Sequence, residues 1–198
     1  MRSSQSWEKP SLRQNTQRIT LIALFGVAVF VSKTLLPSPI DKMAVVPQAM
    51  FLALGSLLSR PLGATLVSVV ASALTVLIRP SLAPFTIAFA LTYGLLTDGL
   101  TLILRVRSPE RDLRVYRLVA ALTISTIITG LASYYTTVHA LALLPRNPVL
   151  EVIILVSGVT SGLVGGFLAA LIWTKGLRHM VSIDRRKNRR QTIVDQPT

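Results

Sequence analysis

His139 and His179 are the two histidines of the chain, and one apolar segment lies between them. If that segment crosses a bilayer, the imidazoles stand on opposite sides of it, so one chain does not build a two-histidine metal site. Cysteine is absent, which removes thiolate metal ligands, disulfides and a cysteine nucleophile. There is no HExxH pair for zinc and no Walker loop for a nucleotide phosphate. A GxSxG nucleophile elbow is also missing. The stretch "TDGLTLILR" offers an Asp-Gly followed by an arginine, too little for a phosphotransferase. The expectation is a protein that is not an enzyme and carries no cofactor and no metal.

The remaining polar chemistry gathers at one depth. Lys33 lies near the end of the first apolar segment, and Asp41 and Lys42 follow in "LPSPIDK". Gln48 opens the second segment and Arg79 closes the third. Tyr134, Tyr135, Thr136, Thr137 and His139 crowd the end of the fifth, and Asn147 and Glu151 begin the sixth. In an up-and-down bundle these positions converge on one side. Apolar walls carrying a few polar and aromatic groups are what a small-molecule pocket needs. Ordinary readings stand beside this one. Tyr134 and Tyr135 also fit an interfacial aromatic belt, Lys33 a side chain snorkelling to headgroups, and Asp41, Lys42 and His139 plain loop residues. Both signs of charge border the region, so neither an anionic nor a cationic ligand is excluded. Asp98 differs, because it lies within the fourth apolar segment, and an intramembrane acid is a functional candidate by default. Arg60 and Arg105 are its nearest basic partners in the sequence pattern; a structural or coupling role fits it better than substrate contact.

The elements that must position these groups are six apolar segments: Ile19–Leu36, Met43–Leu58, Leu62–Ile78, Leu82–Leu104, Tyr116–Leu141 and Leu150–Leu177. Hydrophobic residues make up 51% of the 198-residue chain, and the segments are apolar nearly all round, as lipid-facing helices are. A span takes about 20 such residues, so six spans leave no room for a soluble catalytic domain. The predicted fold is all-α, an integral membrane bundle of six transmembrane helices. Residues 1–18 form an N-terminal segment, 19–178 the membrane domain and 179–198 a basic tail. Pro61 and Pro84 sit where a helix's first turn tolerates proline, Pro37 and Pro39 stop the first helix, and Pro47 is placed to distort the first turns of the second.

The net charge of +13 would suit nucleic acid, but its distribution says otherwise. Seventeen of the 21 basic residues fall in the N-terminal leader, at Arg60, between Arg105 and Arg117, or from Lys175 onward. Lys33, Lys42, Arg79 and Arg146 are the other four. The positive-inside rule then puts both termini and the Arg105–Arg117 loop in the cytoplasm. The leader is long, and no small-residue cleavage site follows the first apolar run, unlike a secretory signal. The tail "DRRKNRRQ" reads as a juxtamembrane segment that touches anionic lipid, so no nucleic-acid partner is expected.

Lipid offers no hydrophobic drive for helix association, so small residues mark close packing. Such ladders are Gly158, Gly162, Gly166, Ala170 and Ser161, Gly165, Ala169 in the sixth segment. The fifth carries Ala121, Ser125, Thr129 and Ser133, the third Ala64, Ser68 and Ser72, and the first Ala28 and Ser32. Spacing alone does not separate packing within the chain from docking of another membrane protein.

Size, six spans and the central stretch "PQAMFLALGSLLSRPLGATLVSVVASALTVLIRPSLAPFTIAFALTYGLLTDGL" resemble the substrate-binding S-component of energy-coupling factor (ECF) transporters. In both, a short Pro/Gly turn leads into a small-residue third helix, and an "APFT"-like start opens the fourth. The resemblance covers roughly Ile19 to Leu177. It implies a cell-membrane, multi-pass subunit that captures a vitamin, vitamin precursor or similar micronutrient from outside. A membrane T-component and two ATPase subunits would supply the drive. Family ligand contacts come from the first outer loop and the outer parts of helices four to six, which here means Asp41, Lys42, Thr86, Tyr134, Tyr135, His139 and Glu151. Docking on the T-component uses small residues, often AxxxA in the first helix. Ala28 and Ser32 are the nearest match, with serine in the second place, and Gly162 is a further docking candidate. The alternative is a small secondary transporter acting alone as an oligomer, although no inverted repeat or broken mid-helix supports it. A membrane enzyme has only Asp98 and His139 in its favour, and a mere scaffold does not account for the costly polar cluster.

Overall fold

Each of the six apolar segments carries a helix. The computed structural model describes residues 12–34, 45–59, 61–78, 80, 83–106, 113–140 and 147–177. The helices are α1 (Leu12–Thr34), α2 (Val45–Leu58), α3 (Gly63–Ile78), α4 (Ala83–Ile103), α5 (Val115–Tyr135) and α6 (Pro148–Ile172). One π-helical turn extends α5 over Thr136–Ala140, and another extends α6 over Trp173–Leu177. The fold is all-α, as expected. Helix α1 starts in the polar leader, well before the apolar run, because Leu, Arg and Gln there are good helix formers. Pro47 falls within the first turn of α2, where it interrupts no helical hydrogen bond.

Four stretches are long and apolar enough to cross a membrane: Thr16–Thr34, Ala83–Ile103, Val115–His139 and Pro148–Gly176. Six full-length spans were expected. Helices α2 and α3 are shorter, with 14 and 16 residues. At 1.5 Å per residue they reach about 21 and 24 Å, less than a hydrocarbon core of about 30 Å. Packing against other helices compensates. Every residue of α2 from Leu52 to Leu58 is buried.

Contacts run α1–α3–α4–α5–α6–α2 around the bundle and close from α2 back to α1. Helix α2 also touches α3, α4 and α5, so it is drawn inward. The outward faces remain apolar, with Leu24, Leu66, Leu95, Ile124, Leu163 and Phe167 among the exposed side chains. That inversion is what a lipid solvent permits, and the chain is a membrane protein.

Small residues set the close contacts. A Cβ at Gly166 would lie 3.0 Å from Val119 Cα, and one at Gly158 would lie 3.4 Å from Ile127 Cα. Gly165, on the neighbouring stripe, abuts Ala49 and the Val46 carbonyl of α2. Gly162 is pressed against the backbone of Thr123. A partner docking at Gly162 would have to displace α5 from it.

Asp98 is explained by the turn between α2 and α3. Its Oδ1 accepts from the Ala64 amide at 3.1 Å, and Oδ2 accepts from the Thr65 amide at 2.9 Å and the Thr65 hydroxyl at 2.8 Å. Asp98 thus caps the start of α3 from a neighbouring helix. The carboxylate meets amides that have no intrahelical acceptor and faces the positive end of the helix dipole. Neither oxygen is turned to Arg105. Gly94, one turn earlier on α4, lets α3 approach so closely: a Cβ there would meet Thr65 Cα at 2.7 Å.

The same end of the bundle holds a second cap. Helix α4 ends with Arg105 at φ 45°, in the left-handed region. The Val106 amide donates to the Thr101 carbonyl at 3.1 Å, the long bond that closes a Schellman-type helix end. Arg117 Nη1 donates to the Leu104 carbonyl at 3.1 Å and ties α5 to that terminus.

Candidate functional site

At the opposite end, which the charge asymmetry makes the outer one, the helices part around a cavity of about 580 Å³. Lys33 of α1 and Gln48 of α2 border it on one side. Thr86, Phe89, Ala90 and Tyr93 of α4 form the next wall. Helix α5 contributes Thr126, Thr129, Gly130, Ser133 and Tyr134, and α6 contributes Leu150, Ile153, Ile154, Ser157 and Gly158. The volume and the mixture of apolar wall with scattered hydroxyls suit a small organic ligand.

Helical periodicity explains why these residues meet. Thr86, Ala90 and Tyr93 recur on one stripe of α4, and Thr126, Thr129/Gly130 and Ser133 on one stripe of α5. The α5 ladder changes task along its length. Ala121 and Ser125 are fully buried in helix packing, whereas Thr129 and Ser133 line the cavity.

The cavity floor is a polar seam between α4 and α5. Tyr93 Oη and Thr126 Oγ1 lie 3.0 Å apart. The Thr126 hydroxyl donates to the Leu122 carbonyl at 2.7 Å, which leaves its oxygen to accept from the tyrosine. One turn deeper, the Thr97 hydroxyl donates to Ser125 Oγ at 3.4 Å. Interhelical hydrogen bonds of this kind hold helices together in lipid, and here they keep the floor closed.

Tyr134 fastens the rim. Its hydroxyl donates to the Asn147 carbonyl at 3.1 Å and accepts from the Asn147 amide at 3.0 Å. Asn147 in turn caps α6, its side chain accepting from the Val149 amide at 2.9 Å. The end of α5 is thereby bound to the start of α6, with the Tyr134 ring on the cavity wall.

The residues singled out from sequence divide. Thr86 and Tyr134 line the cavity. Tyr135, His139 and Glu151 are not part of its wall. Tyr135 and His139 stack on each other with ring centroids 6.0 Å apart, and both are exposed. The two residues are four apart, the spacing that places side chains on one helix face. Asp41 and Lys42 lie outside the described residues. Lys33 and Gln48, noted for their polarity, do line the cavity. Phe89, Tyr93 and Thr126 were missed; the stripe of hydroxyl-bearing residues on α4 and α5 was the available signal. Ala28 and Ser32 are half-buried on α1, beside the exposed Leu24, Val27 and Val31. Among the described residues, no three His, Asp or Glu side chains gather as a metal site would require.

No protein-family model matches the sequence, and no curated protein matches it. A solved structure does: the crystal structure of an S-component of an ECF transporter superposes with a TM-score of 0.59 at 16% identity, covering 96% of this chain and 100% of that one. The likeness extends over nearly the whole length of both chains, and this chain has the fold of an ECF-transporter S-component.

Proposed function

We propose that this chain is the substrate-binding subunit of an ECF-type importer in the cell membrane. It captures a vitamin, vitamin precursor or similar micronutrient from outside and hands it inward with a T-component and two ATPase subunits. The observation that carries the reading is the cavity of about 580 Å³ at the end of the bundle opposite Arg105 and Arg117, the side with few basic residues. Such a position fits capture from the outer side under the positive-inside rule. The floor sealed by Tyr93 and Thr126 fits a subunit that binds without conducting on its own. Ala28 and Ser32, small and beside an exposed stripe, are the docking residues of this reading; a bulky side chain there would hold a partner helix away.

Reconstitution in liposomes tests it. Wild type with the T-component and ATPases should accumulate solute when ATP is supplied, and Ala28→Trp should abolish accumulation while still binding it. Equal accumulation by the isolated chain would reject the reading in favour of an autonomous carrier.

A further inference from the structure

Lys33 is the one formally charged side chain among the described residues of the cavity wall. Around it the wall is mainly apolar, with Val45, Phe89, Leu150, Ile153 and Ile154. An ammonium at this depth is expensive unless something polar or anionic meets it. Lys33 lies in the last turn of α1, where the helix dipole favours a cation. It also interacts within the protein, and an ammonium carries three donors in all. Gln48 and Thr86 flank it, lining both the cavity and a narrow cleft that runs from Lys33 toward α3.

A second observation comes from the opposite side of the ring. Thr123, Thr126, Thr136 and Thr137 each donate their hydroxyl to the carbonyl four residues back. Thr129 does not. Its Oγ1 is buried with no hydrogen-bond partner among the described residues, and the residue lines the cavity. A buried hydroxyl left unpaired is costly, so this position is made for a polar group brought from elsewhere.

We infer that the cavity takes a small organic acid: a largely apolar molecule with a carboxylate at Lys33, Gln48 and Thr86 and a polar substituent reaching Thr129. A cation within a mainly apolar wall favours an anionic group on the ligand. The inference rests on the reading that this cavity captures a solute.

The probe is the dialysable fraction of yeast extract, equilibrated with purified full-length protein in detergent. Retained compounds are identified and quantified by mass spectrometry for wild type, Lys33→Met and Lys33→Arg. A hydrogen-bonded charge contact is worth at least about tenfold in affinity. Wild type should retain an acid, Lys33→Met should hold it at least about tenfold more weakly, and Lys33→Arg should restore most of the retention. If Lys33→Met is not recovered folded, Lys33→Gln is read in its place. Retention of a neutral or cationic compound, or of the same acid equally by Lys33→Met, overturns the inference and leaves solute capture standing. Retention of nothing by folded wild type overturns solute capture itself, and the inference with it.

Discussion

Asp98→Ala tests whether the intramembrane acid is a helix clamp. The carboxylate serves two backbone amides and one hydroxyl at the start of α3, at 2.8–3.1 Å. Alanine leaves both amides without an acceptor, and each buried unsatisfied donor costs about 1–3 kcal/mol. Relief from burying a carboxylate offsets part of that loss, so the net destabilisation should be about 2–4 kcal/mol. For a chain of this size that is a fall in Tm on the order of 5–10 °C. Asp98→Asn keeps one carbonyl acceptor but points an N–H at an amide donor, so it should fall between wild type and alanine. The assay is thermal unfolding in detergent. Thr92→Val is the control, since it removes an exposed hydroxyl that bonds only the Ala88 carbonyl one turn back. Solute binding measured below the transition should be unchanged, because Asp98 is not part of the cavity wall. The clamp is refuted if Asp98→Ala melts with the control, or if it loses binding while keeping its Tm.

Tyr134→Phe keeps the ring on the cavity wall and deletes both bonds to Asn147; it should cost about 1–2 kcal/mol, read as a lower Tm with solute affinity largely kept. Gly162→Leu forces a side chain into the backbone of Thr123 and should destabilise by about 1–3 kcal/mol or more, whether or not a partner complex is present; normal stability with failed partner docking would return Gly162 to the surface. Cysteines placed at Arg111 and Asn147 should react with a membrane-impermeant reagent from opposite sides of the membrane. Labelling of both from outside would contradict the charge-based orientation.

The helices were legible because lipid imposes a crude rule: long apolar runs are helices, and their ends are marked by Pro, Gly and charge. The bounds of α3 and α4 lie within one residue of the expected segments. The cavity was legible only in part. Its level followed from the alternation of segments, which put Lys33, Gln48 and Tyr134 together. Which of two adjacent residues faces inward depends on helix rotation, and in an apolar bundle no polar face fixes that rotation. Tyr134 therefore lines the wall while Tyr135 turns out to stack on His139. Asp98 was recognisable as an exceptional residue, but its partners are backbone amides more than thirty positions away, and no side-chain pattern reports them. The glycine ladder of α6 announced close packing without saying against what; the answer is α5 for Gly158, Gly162 and Gly166 and α2 for Gly165.

The central claim is that the cavity between α4, α5 and α6 holds the transported solute. Ser157→Trp places an indole into that space from α6 and leaves the Tyr93–Thr126 pair and the Asp98 clamp unsubstituted. The most direct measurement is the mass-spectrometric amount of small molecule retained per folded protein, for wild type and Ser157→Trp side by side. Retention by wild type and its loss in Ser157→Trp, with the two proteins melting alike, is the predicted result. Equal retention by both would contradict the assignment of this cavity.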